Sequence, residues 1–417
     1  MMHIRKLIAA SSVFALLAMT LTGYSAASAA ERVEKPKTLE LWVPPTISGT
    51  DPVQFWKDAL LPWEQANQVK VNTTITSWAA YEAKMLLGIS SDAGPDVAYM
   101  YNEMAGDYID RGQLLPLGQY LSTRDKLNYK YLDKGKVNGK QYMMPFIVGG
   151  ARVLYYNKDV LSKSGVTTAP TTWTEFSDAA KKIKAAGYTP FIQQWGDPNK
   201  GAMNAIFYPF LYQAGGSLFN KKGTATAFNS TAGLKAAKFI LQMKTDGLMP
   251  NTVNGLDLAQ ANTQFRSGKV GFMVGPDAHL PAHRSAGVDV GIVYSLQDRQ
   301  QGTFVAVDSL VVPKGCKVPK LCVSLINFIE SGKVMEQIHK YAPYNPIGND
   351  ETYGGQPEFS ALYAKPTFLR QLPVVSGSTQ VYDLLYKNLQ KMLLGQMTPE
   401  QALSDAARAG DAVIGTK

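Results

Sequence analysis

Cysteine and histidine are nearly missing from this 417-residue chain, which holds two of the first and four of the second. Two sulfurs cannot complete a structural zinc site, and Cys316 and Cys322 lack the C-x-x-C spacing of a redox dithiol. In an oxidising compartment the pair could close a disulfide between a strand end and the next helix. Spacing alone leaves that open, because it says nothing of whether the sulfurs lie within reach. His279 and His283 stand four apart, but Pro281 between them breaks the regular helical face that a metal pair would share. No metal site or cofactor is expected.

The motifs of common chemistry are lacking too. There is no phosphate-cradling G-x-x-x-x-G-K-[ST], no G-x-S-x-G, no H-E-x-x-H, and no G-x-G-x-x-G opening a helix. Beyond the N-terminus, no run approaches the roughly 18 apolar residues that a membrane-spanning helix needs. There is no internal repeat and no low-complexity linker. The formal net charge is +9, but the lysines are dispersed, with only a mild cluster from Arg124 to Lys140. A solvated face explains such a cluster, and no nucleic-acid partner is expected.

What is present begins with an export signal. Arg5 and Lys6 precede an apolar stretch from Leu7 to Leu21, and Ser25 to Ala30 offer small residues for cleavage before Glu31. A signal peptide over 1–30 is predicted. The remaining chain exceeds what one hydrophobic core usually organises, so two domains are expected.

The mature chain opens on alternation. Leu39, Leu41 and Val43 share one face of a strand over Thr38–Val43, and Glu40 and Trp42 share the other. Asp51-Pro52 reads as a helix cap and first turn, followed by Phe55, Trp56, Ala59, Leu60 and Trp63 at helical spacing. A second strand near Val69–Ile75, a helix near Ala79–Ser90 and a third strand from Val97 complete β-α-β-α-β. That order predicts an α/β fold with mainly parallel sheets flanked by helices. Further on, Phe146–Asn157 and Thr303–Val312 each read as one strand and 202–214 as one helix; Thr172-x-x-Glu175 is a capping box. The last third is helical, over 319–330, 333–340, 379–394 and 399–412.

Several ordered strings carry a resemblance. They include Gly94-Pro95-Asp96-Val97, Gly112-Gln113-Leu114-Leu115-Pro116-Leu117, Val137-Asn138-Gly139-Lys140-Gln141-Tyr142-Met143-Met144-Pro145 and Leu154-Tyr155-Tyr156-Asn157-Lys158-Asp159. Pro170-Thr171-Thr172-Trp173-Thr174-Glu175, Phe265-Arg266-Ser267-Gly268-Lys269-Val270-Gly271-Phe272-Met273, Val312-Pro313-Lys314-Gly315 and Gly395-Gln396-Met397-Thr398-Pro399-Glu400 follow in order. The set resembles the family 1 extracellular solute-binding proteins of ABC importers, the group that includes maltose-binding protein. The resemblance implies a two-lobed periplasmic-binding-protein fold (type II). One lobe would span 31–146 with 295–332, the other 147–294 with 333–417, hinged near Pro145, Tyr294 and Gly332. It implies a non-enzymatic monomer that closes on a carbohydrate and delivers it to membrane permease subunits. Leu21-Thr22-Gly23-Tyr24-Ser25 looks like a lipoprotein box with Tyr24 in place of the acylated cysteine, which implies a free periplasmic or secreted form.

Sugars present apolar C–H faces and a rim of hydroxyls, so their site needs flat rings beside fixed donors and acceptors. Strand-end residues that offer these in the first half are Trp42, Trp78, Tyr81, Tyr101, Asn102 and Glu103, with Glu103 the favoured acid. In the second half they are Trp195, Asp197, Tyr208, Asp277, Asp308, Tyr344 and Tyr382. Asp277 stands where the family has a ring after Gly-Pro, and Gly150 where the maltose binder offers a carboxylate, which argues against simple maltose specificity. The alternatives are an anionic or non-sugar solute (a sugar phosphate, polyol or uronate oligomer) and, more distantly, a glycoside hydrolase using Glu103 and Asp277.

Overall fold

The computed structural model describes residues 36–415 apart from 48, 92, 365 and 366, so the predicted signal peptide lies outside the described residues. Nine strands form the two main sheets: Thr38–Val43 (β1), Lys70–Ile75 (β2), Val97–Tyr101 (β3), Met143–Gly149 (β4), Arg152–Asn157 (β5), Thr189–Ile192 (β6), Val270–Pro276 (β7), Val290–Val293 (β8) and Ala306–Val311 (β9). The first sheet has the order β2-β1-β3-β9-β4 and the second β8-β5-β7-β6.

Leu39, Leu41 and Val43 are fully buried, so the alternation of β1 translates directly into its inward face. Parallel pairing holds among β1, β2 and β3, joined by the helices Pro52–Asn67 and Trp78–Ser90. The first helix starts on the Asp51 carboxylate, which accepts from the Val53 amide at 2.9 Å, and it turns Trp56, Leu60 and Trp63 onto the sheet. The expectation of mainly parallel sheets stops there. β9 runs antiparallel to both its neighbours, as does β5 in the second sheet, where only β6 and β7 are parallel. Parallel neighbours need a helical crossover within one sheet, whereas β5 and β9 follow directly on chain that lies in the other half.

Each sheet has its own core. Leu41, Trp56, Met100, Phe146, Leu310 and Ile326 belong to the first. The second sheet is covered on both faces: Leu154, Phe191 and Phe272 meet one apolar cluster, and Val153, Tyr155 and Met273, the alternate residues, meet another. The chain passes between the cores three times, between Val148 and Ala151, between Phe304 and Val307, and between Ile347 and Phe359. The single strand predicted over 146–157 is broken at the first passage, where Gly150 has φ +61°. Only glycine adopts that conformation cheaply. The strand predicted over 303–312 likewise splits around Val305. The helix Gly332–His339 packs into the first core through Val334, Met335 and Ile338, while Ser378–Leu393 and Pro399–Gly415 pack into the second.

The helix predicted over 202–214 breaks at Phe207 into Met203–Ile206 and Tyr208–Gln213. Pro209 has no amide to donate back to residue 205, so the helix restarts. Cys316 and Cys322 are joined as a disulfide between the end of β9 and the helix Pro319–Ile329. Among the described residues, no helix is long and apolar enough to cross a membrane.

Candidate functional site

A group of polar and aromatic side chains lies along the seam between the two cores. Its first wall is the end of β3. Tyr99 is buried and its hydroxyl donates to Asp308 Oδ2, while the Tyr101 hydroxyl donates to Glu82 Oε1. Asp308 lies opposite Tyr101 in β9, at an irregularity in the ladder between Asp308 and Ser309. The helix Asn102–Asp110 begins directly after the strand and sets Glu103 in its first turn.

The second wall comes from the other sheet. Tyr208 and Tyr212 stand one turn apart on the restarted helix, and Tyr382 of Ser378–Leu393 meets Tyr208 edge-on with ring centres 6.0 Å apart. All three phenols feel the charge of Glu103. Asp277, at the end of β7, accepts from the Tyr363 hydroxyl through Oδ2, while its Oδ1 has no partner. Arg152 begins β5 with its guanidinium 5.2 Å from the Phe304 ring centre, where its charge reaches Asp277, Tyr344 and Asp308. Tyr344 lies against Gly149, where a Cβ would come within 3.0 Å of its ring.

Burial governs the acids. It pushes the Glu103 carboxyl up to about 8; Asp308 and Glu82 push the same way, and a backbone N–H and Lys200 oppose them. Burial takes Asp308 to about 7 against the Tyr99 hydroxyl and Arg152, and Asp277 to about 6 against Tyr363, backbone amides and Arg152. Taking these groups out of water penalises the ionised form, and one guanidinium does not offset three carboxylates. Burial also lowers the Arg152 pKa.

Direct contacts cross the seam. Lys200 makes an ion pair with Glu82, and Asn199 Nδ2 reaches the Trp78 carbonyl at 3.5 Å. On another edge, Asp107 accepts from the Gly377 amide at 2.9 Å and the Ser376 hydroxyl at 3.2 Å, while Ser378 donates to the Glu103 carbonyl at 3.1 Å. The two halves are thus engaged with one another.

Of the thirteen site residues expected, Trp78, Tyr101, Glu103, Tyr208, Asp277, Asp308, Tyr344 and Tyr382 gather at this seam. Trp78 is 37% exposed and meets Tyr99 edge-on. The structure places the other five in local packing and hydrogen bonds. Trp42 lies beneath the helix Trp78–Ser90, against Gly88, with the Lys84 ammonium 4.6 Å from its ring centre. Tyr81 is buried, its hydroxyl donating to the carbonyls of Tyr99 at 2.7 Å and Trp42 at 3.0 Å. Asn102 joins the Lys134 carbonyl to the Ser309 hydroxyl. Trp195 is fully enclosed, donating to Gln193 Oε1 at 2.7 Å. Asp197 caps local backbone at Asn199 and Leu258. Sequence reasoning missed Arg152, Glu82, Lys200, Tyr99, Tyr212 and Tyr363. Tyr99 was within reach, as the residue alternate to Tyr101 in the same strand. Away from the seam, Asp96 lies near Cys316 and Cys322, close enough for a shared ion, but both sulfurs are committed to the disulfide.

Comparisons with known proteins bear on this geometry. A family model described as bacterial extracellular solute-binding protein matches residues 46–336. A galactooligosaccharide-binding protein of Bacillus subtilis is 23% identical, covering 87% of each chain. The sn-glycerol-3-phosphate-binding periplasmic protein of Brucella melitensis is 26% identical, over 75% of this chain and 73% of that one. Among solved structures, a solute-binding protein of Thermotoga lettingae bound with α-D-tagatose superposes with a TM-score of 0.78 at 20% identity, covering 91% of this chain and all (100%) of that one. A substrate-binding protein of Listeria monocytogenes in complex with cycloalternan gives 0.79 at 21% identity, over 92% and 100%. These likenesses establish the two-lobed solute-binding fold.

Proposed function

The chain belongs to the bacterial extracellular solute-binding proteins, and from that premise we propose that it captures a carbohydrate between its lobes and passes it to the permease subunits of an ABC importer. The observation that carries this reading is the grouping of Tyr208, Tyr212 and Tyr382 from one half near Glu103 of the other, with Asp308 acting on that acid. Rings match the C–H faces of a sugar, and carboxylates accept from its hydroxyls. The relative named for galactooligosaccharides and the neighbours bound to sugars support it.

The cores suggest revised lobes: 36–149 with 306–350, and 151–305 with 357–415. Residues 295–305 move to the second lobe because Leu296 and Phe304 join its core; residues 333–347 move to the first with Val334 and Ile338. Gly150, Val305 and the segment 351–356 then serve as hinges. The ligand-contacting set is Trp78, Tyr101, Glu103, Arg152, Tyr208, Tyr212, Asp277, Asp308, Tyr344 and Tyr382. The chain acts as an exported, non-catalytic monomer.

An anionic solute is the weaker reading, although sn-glycerol-3-phosphate binders are among the relatives. A phosphate here would meet the carboxyls of Glu103, Asp308 and Asp277, with the Arg152 guanidinium shared by two of them and Lys200 already paired with Glu82. The test is a thermal-shift panel of mono- and oligosaccharides, followed by calorimetry on the hits. A ligand at a hundredfold excess over its Kd stabilises the fold by about 2.7 kcal/mol. A panel in which sn-glycerol-3-phosphate alone raises the melting temperature reverses the order, and release of reducing ends from a bound oligosaccharide marks a hydrolase.

A further inference from the structure

Glu103 is placed without a cation of its own. The groups facing it are the carboxyls of Glu82 and Asp308, the ammonium of Lys200, and the phenols of Tyr101, Tyr208, Tyr212 and Tyr382. Lys200 is already committed to Glu82 in an ion pair. Arg152 gives its charge first to Asp277 and then to Tyr344 and Asp308, and Arg370 gives its own to Tyr212. The carboxyl therefore sits among aromatic rings with acids as its charged company.

A second, independent observation points to an absent group. Tyr382 is 3% exposed, and its hydroxyl lies toward Ser378 without meeting any partner at hydrogen-bonding geometry. The Ser378 hydroxyl donates to the Glu103 carbonyl, which leaves it only its lone pairs to offer Tyr382. Such an orphan at the edge of a ring cluster costs stability unless a guest satisfies it. Rings around a carboxylate are also the arrangement that holds organic cations, because the ring face attracts positive charge and the carboxylate pairs with it.

Building on the carbohydrate reading above, we propose that the ligand carries a basic nitrogen, as in an amino sugar or an oligosaccharide containing one, and that its ammonium sits between Glu103, Asp308 and the tyrosines 208, 212 and 382. The protonation of the acids supports this. Near neutral pH burial keeps Glu103 largely protonated and Asp308 partly so; an arriving ammonium would drive both to ionise and release protons.

The experiment compares matched ligands on the whole mature chain by titration calorimetry: 2-amino-2-deoxyhexoses and their β-linked oligomers, the parent hydroxyl sugars, and the N-acetyl forms, in which the nitrogen is neutral. The amine should bind at least about tenfold more tightly than either neutral partner, the size of one added charge-assisted hydrogen bond. Glu103→Gln and Asp308→Asn should bring that ratio toward one. A wild-type measurement guards against variants that fail to fold: in buffers of different ionisation enthalpy, amine binding at pH 7 should release protons. Neutral sugars that bind as well as the amine, or amine binding without proton release, overturn this inference and leave the carbohydrate reading standing. A chain that binds no sugar of any class overturns both.

Discussion

Deleting the Lys200 ammonium tests whether the seam is a closure surface. The pair Lys200–Glu82 joins one lobe to the other, with side chains only 17% and 27% exposed. Exposed pairs contribute about 0.2–1 kcal/mol, and hydrogen bonds to charged groups in enclosed settings about 1.5–3 kcal/mol. This intermediate case is therefore worth about 1 kcal/mol. If the bond exists only when the lobes are shut, Lys200→Met removes that amount from closure alone and keeps most of the aliphatic stem. An open-dominated chain then binds its sugar about fivefold more weakly, since apparent affinity scales with access to the closed form. Calorimetry gives the affinity, and small-angle scattering of ligand-free protein shows which form dominates. Glu82→Gln completes a double-mutant cycle. Unchanged affinity in Lys200→Met, with the ligand-free chain shown to be open, refutes the latch; so does strict additivity of the two substitutions.

Three further expectations follow from the same geometry. Glu103, Asp308 and Asp277 titrate near 8, 7 and 6 in the fold against about 4 in an unfolded chain. The folded form thus holds more protons in that window, and ligand-free stability falls as pH rises from 5 to 8. Melting curves across the range should decline; a climb contradicts the burial of these acids. Trp42→Ala should cost about 2 kcal/mol of stability and leave sugar affinity unchanged, because its ring packs on Gly88. Trp78→Ala should do the reverse, weakening binding with little change in melting temperature, and equal effects from the two would undo the assignment. Reducing the Cys316–Cys322 bridge, which closes a short loop, should remove about 2 kcal/mol of stability and not disturb the seam. Chemical denaturation with and without reductant reads the first, and sugar titration under reductant the second.

Much of the scaffold was legible because it rests on local rules. Period two in Leu39-x-Leu41-x-Val43, the Asp51-Pro52 cap and the Thr172/Glu175 box each produced the element they announce. The break at Phe207 follows from the local rule for Pro209, whereas the breaks at Gly150 and Val305 were not foreseen, since each depends on which core the flanking residues join. Which of the strand-end aromatic residues reach the seam was not legible for the same reason. Trp42 and Trp78 look alike in sequence, yet one ring is roofed by a helix and the other opens onto the seam. Arg152 escaped notice because its importance lies in its neighbours, Asp277 and Asp308, which stand far away along the chain.

The placement of the acids links recognition to motion. When the lobes are closed without a guest, Asp308 is buried and Glu103 half-buried, and their raised pKa values record the cost of that desolvation. Opening the seam rehydrates both carboxyls and relieves it, so desolvation opposes the contacts of Lys200 and Asp107 that draw the halves together. A guest that donates hydrogen bonds to these carboxyls cancels the opposing contribution and leaves the attractive contacts in place. The ligand then favours closure by removing a penalty as much as by bridging the walls. On this argument Glu103→Gln, which replaces an ionisable group with a neutral amide, should close more readily when empty while gripping its ligand less tightly, and scattering paired with calorimetry on that one variant separates the two effects.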